Sequence, residues 1–235
     1  MKTRDRLIVA LDVPTAEAAR VLVDQLAGEV GPFKIGSQLF TAAGPGFVQE
    51  IVGRGENVFL DLKFHDIPNT VAGAVSSVSR LGVSLVDVHG LGGRAMLEAA
   101  VGALPAMKTR LLAITILTSH DEDSLDQIGV NGGVTDSVER LALLARDAGL
   151  DGVVASPHEV GLIRGACGPD FLIVTPGIRP AGAAAGDQVR AATPATALAA
   201  GADYLVVGRP ITASEDPAAA ADAIVSEMQA ALGES

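Results

Sequence analysis

A single cysteine, Cys167, rules out an internal disulfide, so the expected compartment is a reducing one, the cytoplasm. Arg164 is the only basic residue near its Gly-Ala-Cys-Gly-Pro context, so Cys167 reads as a small packed residue and not as a nucleophile. No run approaches the roughly 18 apolar residues that suggest a membrane span. The opening Met1-Lys2-Thr3-Arg4-Asp5-Arg6 leads only into a short apolar stretch ending at Asp12, unlike a secretory signal. Positive charge is also scarce: 17 Lys and Arg stand against 28 Asp and Glu, a net charge of −11. Such a chain repels nucleic acid and anionic membranes, and an anionic ligand must meet a locally positive site.

Hydrophobic residues, 49% of the 235, are enough for a sizeable core, and their arrangement is rhythmic. Short β-branched runs alternate with Ala-rich segments of helical period, which argues for βα units and a parallel sheet. The predicted strands are Leu7–Asp12, Phe33–Gly36, Val58–Lys63, Leu85–His89, Leu111–Leu117, Gly152–Ser156, Phe171–Thr175 and Tyr204–Val207. Eight is the number of an α/β barrel, and no linker divides the chain, so one (β/α)8 TIM barrel over residues 1–235 is expected. A doubly wound open sheet is the alternative.

Local punctuation supports the helices. Pro14 opens a helix over Thr15–Ala27, Asp216-Pro217 opens one over Ala218–Leu232, and Gly28, Gly82, Gly149 and Gly201 suit helix ends. Ser156-Pro157-His158-Glu159 reads as a cap with its capping-box glutamate, which leaves Ser156 and Glu159 structural. Ser119–Gly133 reads as a solvated loop with room for a short helix. The small-residue loop Pro180–Asp187 fits a mobile lid and a dispensable surface loop equally well.

In parallel barrels chemistry gathers at the strand C-termini. Asp12 closes the first predicted strand, Lys34 lies in the second, and Asp61 and Lys63 end the third, projecting to one face by strand alternation. Asp66 follows in the connection, before Pro68 starts a helix. Charges in a buried-type strand cost desolvation unless paired, which favours a functional site over a surface ion pair. Thr118 lies past the fifth strand, and Gly177-Ile178-Arg179 and Gly208-Arg209 follow the seventh and eighth. Glycine with arginine at those two ends suits a phosphate. A lysine beside carboxylates stays protonated, so Lys63 is a proton donor and the set suits a reaction that makes and then protonates a carbanion. Asp87 and His89 share a face as two candidate metal ligands. With Lys34 and Lys63 at the same mouth, they read instead as hydrogen-bonded wall residues. His65, His120 and His158 show no triad pattern.

The run Asp61-Leu62-Lys63-Phe64-His65-Asp66-Ile67-Pro68-Asn69-Thr70 resembles the signature of the bacterial orotidine 5′-phosphate decarboxylases, built on Asp-x-Lys-x-x-Asp. The resemblance extends through Ala10-Leu11-Asp12, Phe33-Lys34-Ile35-Gly36, Leu117-Thr118-Ser119, Thr175 to Pro180, Asp187-Gln188-Val189-Arg190, and Asp203 to Pro210. The core motif alone is also similar to hexulose-phosphate synthases, which leaves a metal-dependent aldolase as the alternative. A non-catalytic nucleotide-binding regulator is a second rival.

The resemblance implies cofactor-free conversion of orotidine 5′-monophosphate to uridine 5′-monophosphate, with Lys63 protonating C6. It also implies a homodimer whose sites are shared across the interface. Lys34, Asp61 and Lys63 would serve their own barrel, and Asp66, Ile67 and Thr70 the neighbour's. Asp12, Lys34, Asp66 and Thr70 would hold ribose hydroxyls, and Thr118 the pyrimidine. Gln188 would bridge the pyrimidine edge and phosphate, and Gly208, Arg209 and Arg179 would lie at the phosphate and lid. Asp61 would act either by straining the substrate carboxylate or by orienting Lys63.

Overall fold

The structure is a computed structural model that describes residues 2–104, 109–180 and 192–234. Its strands are β1 (Leu7–Ala10), β2 (Phe33–Gly36), β3 (Val58–Phe64), β4 (Leu85–His89), β5 (Arg110–Ile114), β6 (Gly152–Val154), β7 (Leu172–Thr175) and β8 (Tyr204–Val207). They pair in parallel in sequence order, and β8 returns to β1 through Leu7↔Leu205, Ile8↔Val206 and Val9↔Val207. This is the expected closed (β/α)8 barrel, not an open sheet.

Strand alternation sorts the apolar residues into two sets. Ile8, Ala10, Phe59, Leu85, Leu112, Val174 and Val206 fill the inside of the barrel. Their strand neighbours, such as Val9, Phe33, Leu60, Val86 and Val207, face outward and pack under the helices in a second, larger cluster. A chain with six Phe, one Tyr and no Trp builds this core from aliphatic side chains, with Phe59 as the large residue within the barrel.

Helix starts follow their caps. Thr15 accepts the Ala18 N–H at 3.2 Å to begin Ala16–Leu26, and Asp216 accepts the Ala219 N–H at 3.0 Å to begin Pro217–Leu232. Each such cap contributes about 1 kcal/mol. Ser156 caps the short turn Pro157–Glu159 as expected. Within Ser119–Gly133 a helix forms at Glu122–Gln127, where Asp121 accepts the Ser124 N–H at 2.9 Å.

Three strands end earlier than the hydrophobic runs suggested. β1 stops at Ala10, β5 at Ile114 and β6 at Val154, so Asp12, Ile116 to Thr118, and Ala155 lie beyond the ladder. The apolar pattern continues there because those residues line a cavity at the strand C-termini, not because the sheet continues.

Candidate active site

Nineteen residues from the strand ends enclose a cavity of about 510 Å³, within the range of small-molecule sites. Asp12, Lys34, Asp61 and Lys63 form one wall, Gly177, Arg179, Gly208 and Arg209 another, and Thr118 with Ile116 and Val154 the apolar floor and side. Most residues singled out from the sequence therefore meet in one place. Asp66, Ile67 and Thr70 do not line this cavity; all three are exposed, Ile67 by 67%. Gln188 and the 181–187 part of the small-residue loop lie outside the described residues.

The charged wall is a row of alternating sign. The Lys34 ammonium sits 2.9 Å from Asp12 Oδ1 and 3.3 Å from Asp61 Oδ2, and Asp61 Oδ1 accepts from the Lys63 ammonium. Gly36 leaves room for this cluster, since a Cβ there would come within 3.0 Å of Lys34 Nζ and 3.3 Å of Asp12 Oδ1. Lys34 is mostly buried, which by itself would favour the neutral amine. The carboxylates of Asp61 and Asp12 outweigh that effect and raise its pKa. Burial likewise works against ionised Asp61, yet Lys34, the neighbouring Asp87 carboxyl and Lys63 hold its own carboxyl below the ordinary value.

Lys63 is held in an unusual backbone. Its φ of 52° is the only positive φ among the described non-glycine residues, in the left-handed region that costs an ordinary side chain about 1–3 kcal/mol. The register between β3 and β4 shifts between Leu60 and Phe64, so Lys63 rides on a bulge. Alternation in a regular strand predicted the right face for Lys63 but not this twist. Beneath it Asp87, fully buried on β4, accepts the Leu62 N–H at 3.0 Å and the Lys63 N–H at 2.7 Å, both through Oδ1. Asp87 Oδ2 has no donor to accept from. A buried acceptor in that state costs about 1–3 kcal/mol.

Next to Asp87, His89 stacks on His65 with ring centroids 5.3 Å apart, and its Nδ1 accepts the Leu91 N–H at 3.3 Å. That hydrogen bond requires an unprotonated Nδ1. Burial first, then the charges of His65, Lys63 and His120, lower the His89 pKa to about 4 from 6.5. Between those values the unfolded chain binds a proton at His89 that the folded chain does not, so the His89 contribution to stability falls as pH drops from about 6.5 toward 4, while the raised carboxyl of Asp87 contributes in the opposite sense. Asp61, with its depressed pKa, adds its own loss only at still lower pH. Replacing His89 with Gln is expected to raise Tm at about pH 4.5 relative to Tm at about pH 7, compared with the same difference in wild type, measured by circular dichroism. An unchanged difference would remove His89 from the account.

Across the cavity, Arg179 donates to the Ile178 carbonyl at 2.9 Å. Burial, and then the positive charge of Arg209, hold its guanidinium below the ordinary value. Two cations this close make a site that favours an anion.

The model of the Orotidine 5'-phosphate decarboxylase / HUMPS family matches residues 5–224. The chain belongs to this family. Within it, the orotidine 5'-phosphate decarboxylase of Halorhodospira halophila is 58% identical over 96% of this chain and 97% of its own length. That of Syntrophotalea carbinolica is 56% identical over 100% and 99%. A crystal structure of orotidine 5'-phosphate decarboxylase from Lactobacillus acidophilus superposes with a TM-score of 0.85 at 38% identity, covering 95% of this chain and 99% of that one. These matches run through both walls of the cavity, so family membership covers the whole constellation and not the Asp61 to Thr70 stretch alone.

Proposed function

We propose that this protein decarboxylates orotidine 5′-monophosphate to uridine 5′-monophosphate, with no cofactor. The observation that carries the reading is the pairing of two walls in one cavity: the Asp12, Lys34, Asp61, Lys63 row on one side and Arg179 with Arg209 on the other. The second wall binds the phosphate, through the two guanidiniums and the Gly208 backbone. Asp12 and Lys34 hold ribose hydroxyls, and Thr118 meets the pyrimidine. Gln188 keeps its place at the pyrimidine edge and phosphate on the strength of the family resemblance.

In the chemical step the bond from C6 to the carboxylate breaks, its electron pair stays on C6, and CO2 leaves. The Lys63 ammonium stabilises that pair and donates a proton to C6, and solvent later restores the ammonium. Asp61 stays ionised beside Lys63 and aims it through their ion pair. Remote binding energy at the phosphate helps to hold the ring against this row.

Further readings belong with this one. The chain forms one domain over 1–235 and works in the cytoplasm, with no nucleic-acid or membrane partner. It acts as a homodimer in which Asp66, Ile67 and Thr70 complete the neighbour's site. Their exposure, and their absence from the lining of their own cavity, support the shared arrangement. No described helix is long and apolar enough to cross a membrane.

The rival aldolase reading needs a metal at the mouth. Among the described residues no three His, Cys, Asp or Glu side chains converge to hold one. Following the ultraviolet change of orotidine 5′-monophosphate with purified protein tests the proposal directly. Turnover is expected, and it should persist after treatment with a chelator. Activity lost to chelation and restored by Mg²⁺ would reject the cofactor-free reading, and no turnover at all would revive the nucleotide-binding regulator.

A further inference from the structure

Asp87 has no part in the chemistry above, yet it sits directly under it. Of Lys34, Asp61 and Asp87, only Asp87 is fully buried. Its neighbour in the fold is the bulge of β3, where the regular ladder to β4 is interrupted and Lys63 adopts its left-handed backbone. One carboxyl oxygen of Asp87 accepts the two successive N–H groups at Leu62 and Lys63 that the displaced ladder leaves to be satisfied. The other oxygen has nothing to accept from, and Asp61 lies alongside.

We infer that Asp87 is a positioning residue for the decarboxylation: a neutral carboxylic acid that pins the β3 bulge with Oδ1 and donates a hydrogen bond from Oδ2 to Asp61, fixing where the Lys63 ammonium points. A proton on Oδ2 removes two difficulties together. It converts an orphaned buried acceptor into a donor with a partner, and it avoids two adjacent carboxylates in a water-poor site. Burial first, then the charge of Asp61 and a hydrogen bond with it, push the Asp87 carboxyl well above the ordinary range. The same hydrogen bond helps to keep Asp61 ionised. An ionised Asp87 would instead draw the Lys63 ammonium down, away from the cavity.

The kinetic consequences rest on the decarboxylase reading; the protonation state does not. In Asp87→Asn the amide oxygen can accept both N–H groups and the amide N–H can donate to Asp61. Its kcat is expected to stay within about threefold of wild type. Asp87→Ala and the nearly volume-conserving Asp87→Val lose both functions and should lower kcat about 100-fold, the size of effect that a misplacement of about 1 Å produces. KM should change little in either, since the phosphate wall is untouched, and circular dichroism checks folding.

Infrared spectroscopy of wild type near neutral pH should show a protonated-carboxyl C=O band that Asp87→Asn lacks. Should neither apolar variant fold, the Asn variant and this band still decide. An Asn variant as impaired as the Ala one, apolar variants with wild-type kcat, or no such band in wild type each overturn the inference. A wild type that shows the band without converting orotidine 5′-monophosphate overturns the decarboxylase reading and leaves the neutral Asp87 standing.

Discussion

Lys63→Ala is expected to lower kcat for orotidine 5′-monophosphate by on the order of 10⁵-fold, the combined size of a lost general acid and a lost charge stabiliser. The expectation follows from where the ammonium stands. It is ion-paired to Asp61, lines the cavity, and rides on a backbone conformation that an ordinary strand position would not adopt. Strain of that kind persists only where surrounding structure enforces it. Binding of uridine 5′-monophosphate, measured by calorimetry, should weaken far less than kcat, because the wall proposed to hold the phosphate follows other strands. Lys63→Arg separates charge from proton: a guanidinium keeps the cation but does not release a proton in the working range. It should remain strongly impaired. An alanine variant within tenfold of wild type would sink the assignment of Lys63 as proton donor.

Mixing two inactive variants should restore activity. On the proposed shared-site reading, Lys63→Ala destroys the wall that a subunit uses itself, and Asp66→Ala destroys the part lent to its neighbour. In a hybrid dimer with two-fold symmetry of fold, one site carries both lesions and the other carries neither. Random mixing at equal amounts should therefore return about a quarter of wild-type activity, from a background near zero. The motivation is geometric: Lys63 lines the cavity of its own barrel, while Asp66, three residues further on, is exposed and turned to accept the Ile67 N–H at 2.6 Å. Ile67, 67% exposed, is an apolar side chain placed where a neighbour would cover it. Native mass spectrometry can verify the hybrids. If proven hybrids stay inactive, Asp66 belongs to its own subunit or to no site.

The barrel was legible from the alternation of short β-branched runs with capped helices, and all eight strands fall at the expected places. Strand ends were less so, because Ile116 and Leu117 are apolar for lining a cavity and not for pairing. The charged wall was legible because acids and lysines in buried-type strands are costly unless they pair. Asp87 was expected to be hydrogen-bonded, as it is, but what the sequence hid is that it lies under the cavity wall and supports Lys63. Asp87 lies 24 residues from Lys63 and meets its backbone N–H only through the β3 and β4 pairing. A period-two reading treats Val58 to Lys63 as a regular strand, and a bulge stabilised from the neighbouring strand leaves no local mark. The positive φ at Lys63 falls on a residue type with no preference for it, so composition gave no warning.

The seam at which β8 meets β1 runs beneath the cavity, and this orders events during synthesis. The ribosome has released Asp12, Lys34, Asp61 and Lys63 long before it makes Arg209, so the nascent chain carries half a binding site with no opposite wall. On the proposed reading, ligand recognition begins only when the last strand docks. A nucleotide gripped by both walls, as proposed, would tie the first quarter of the polypeptide to its final strand. The occupied protein should then open least at the place where it closed last.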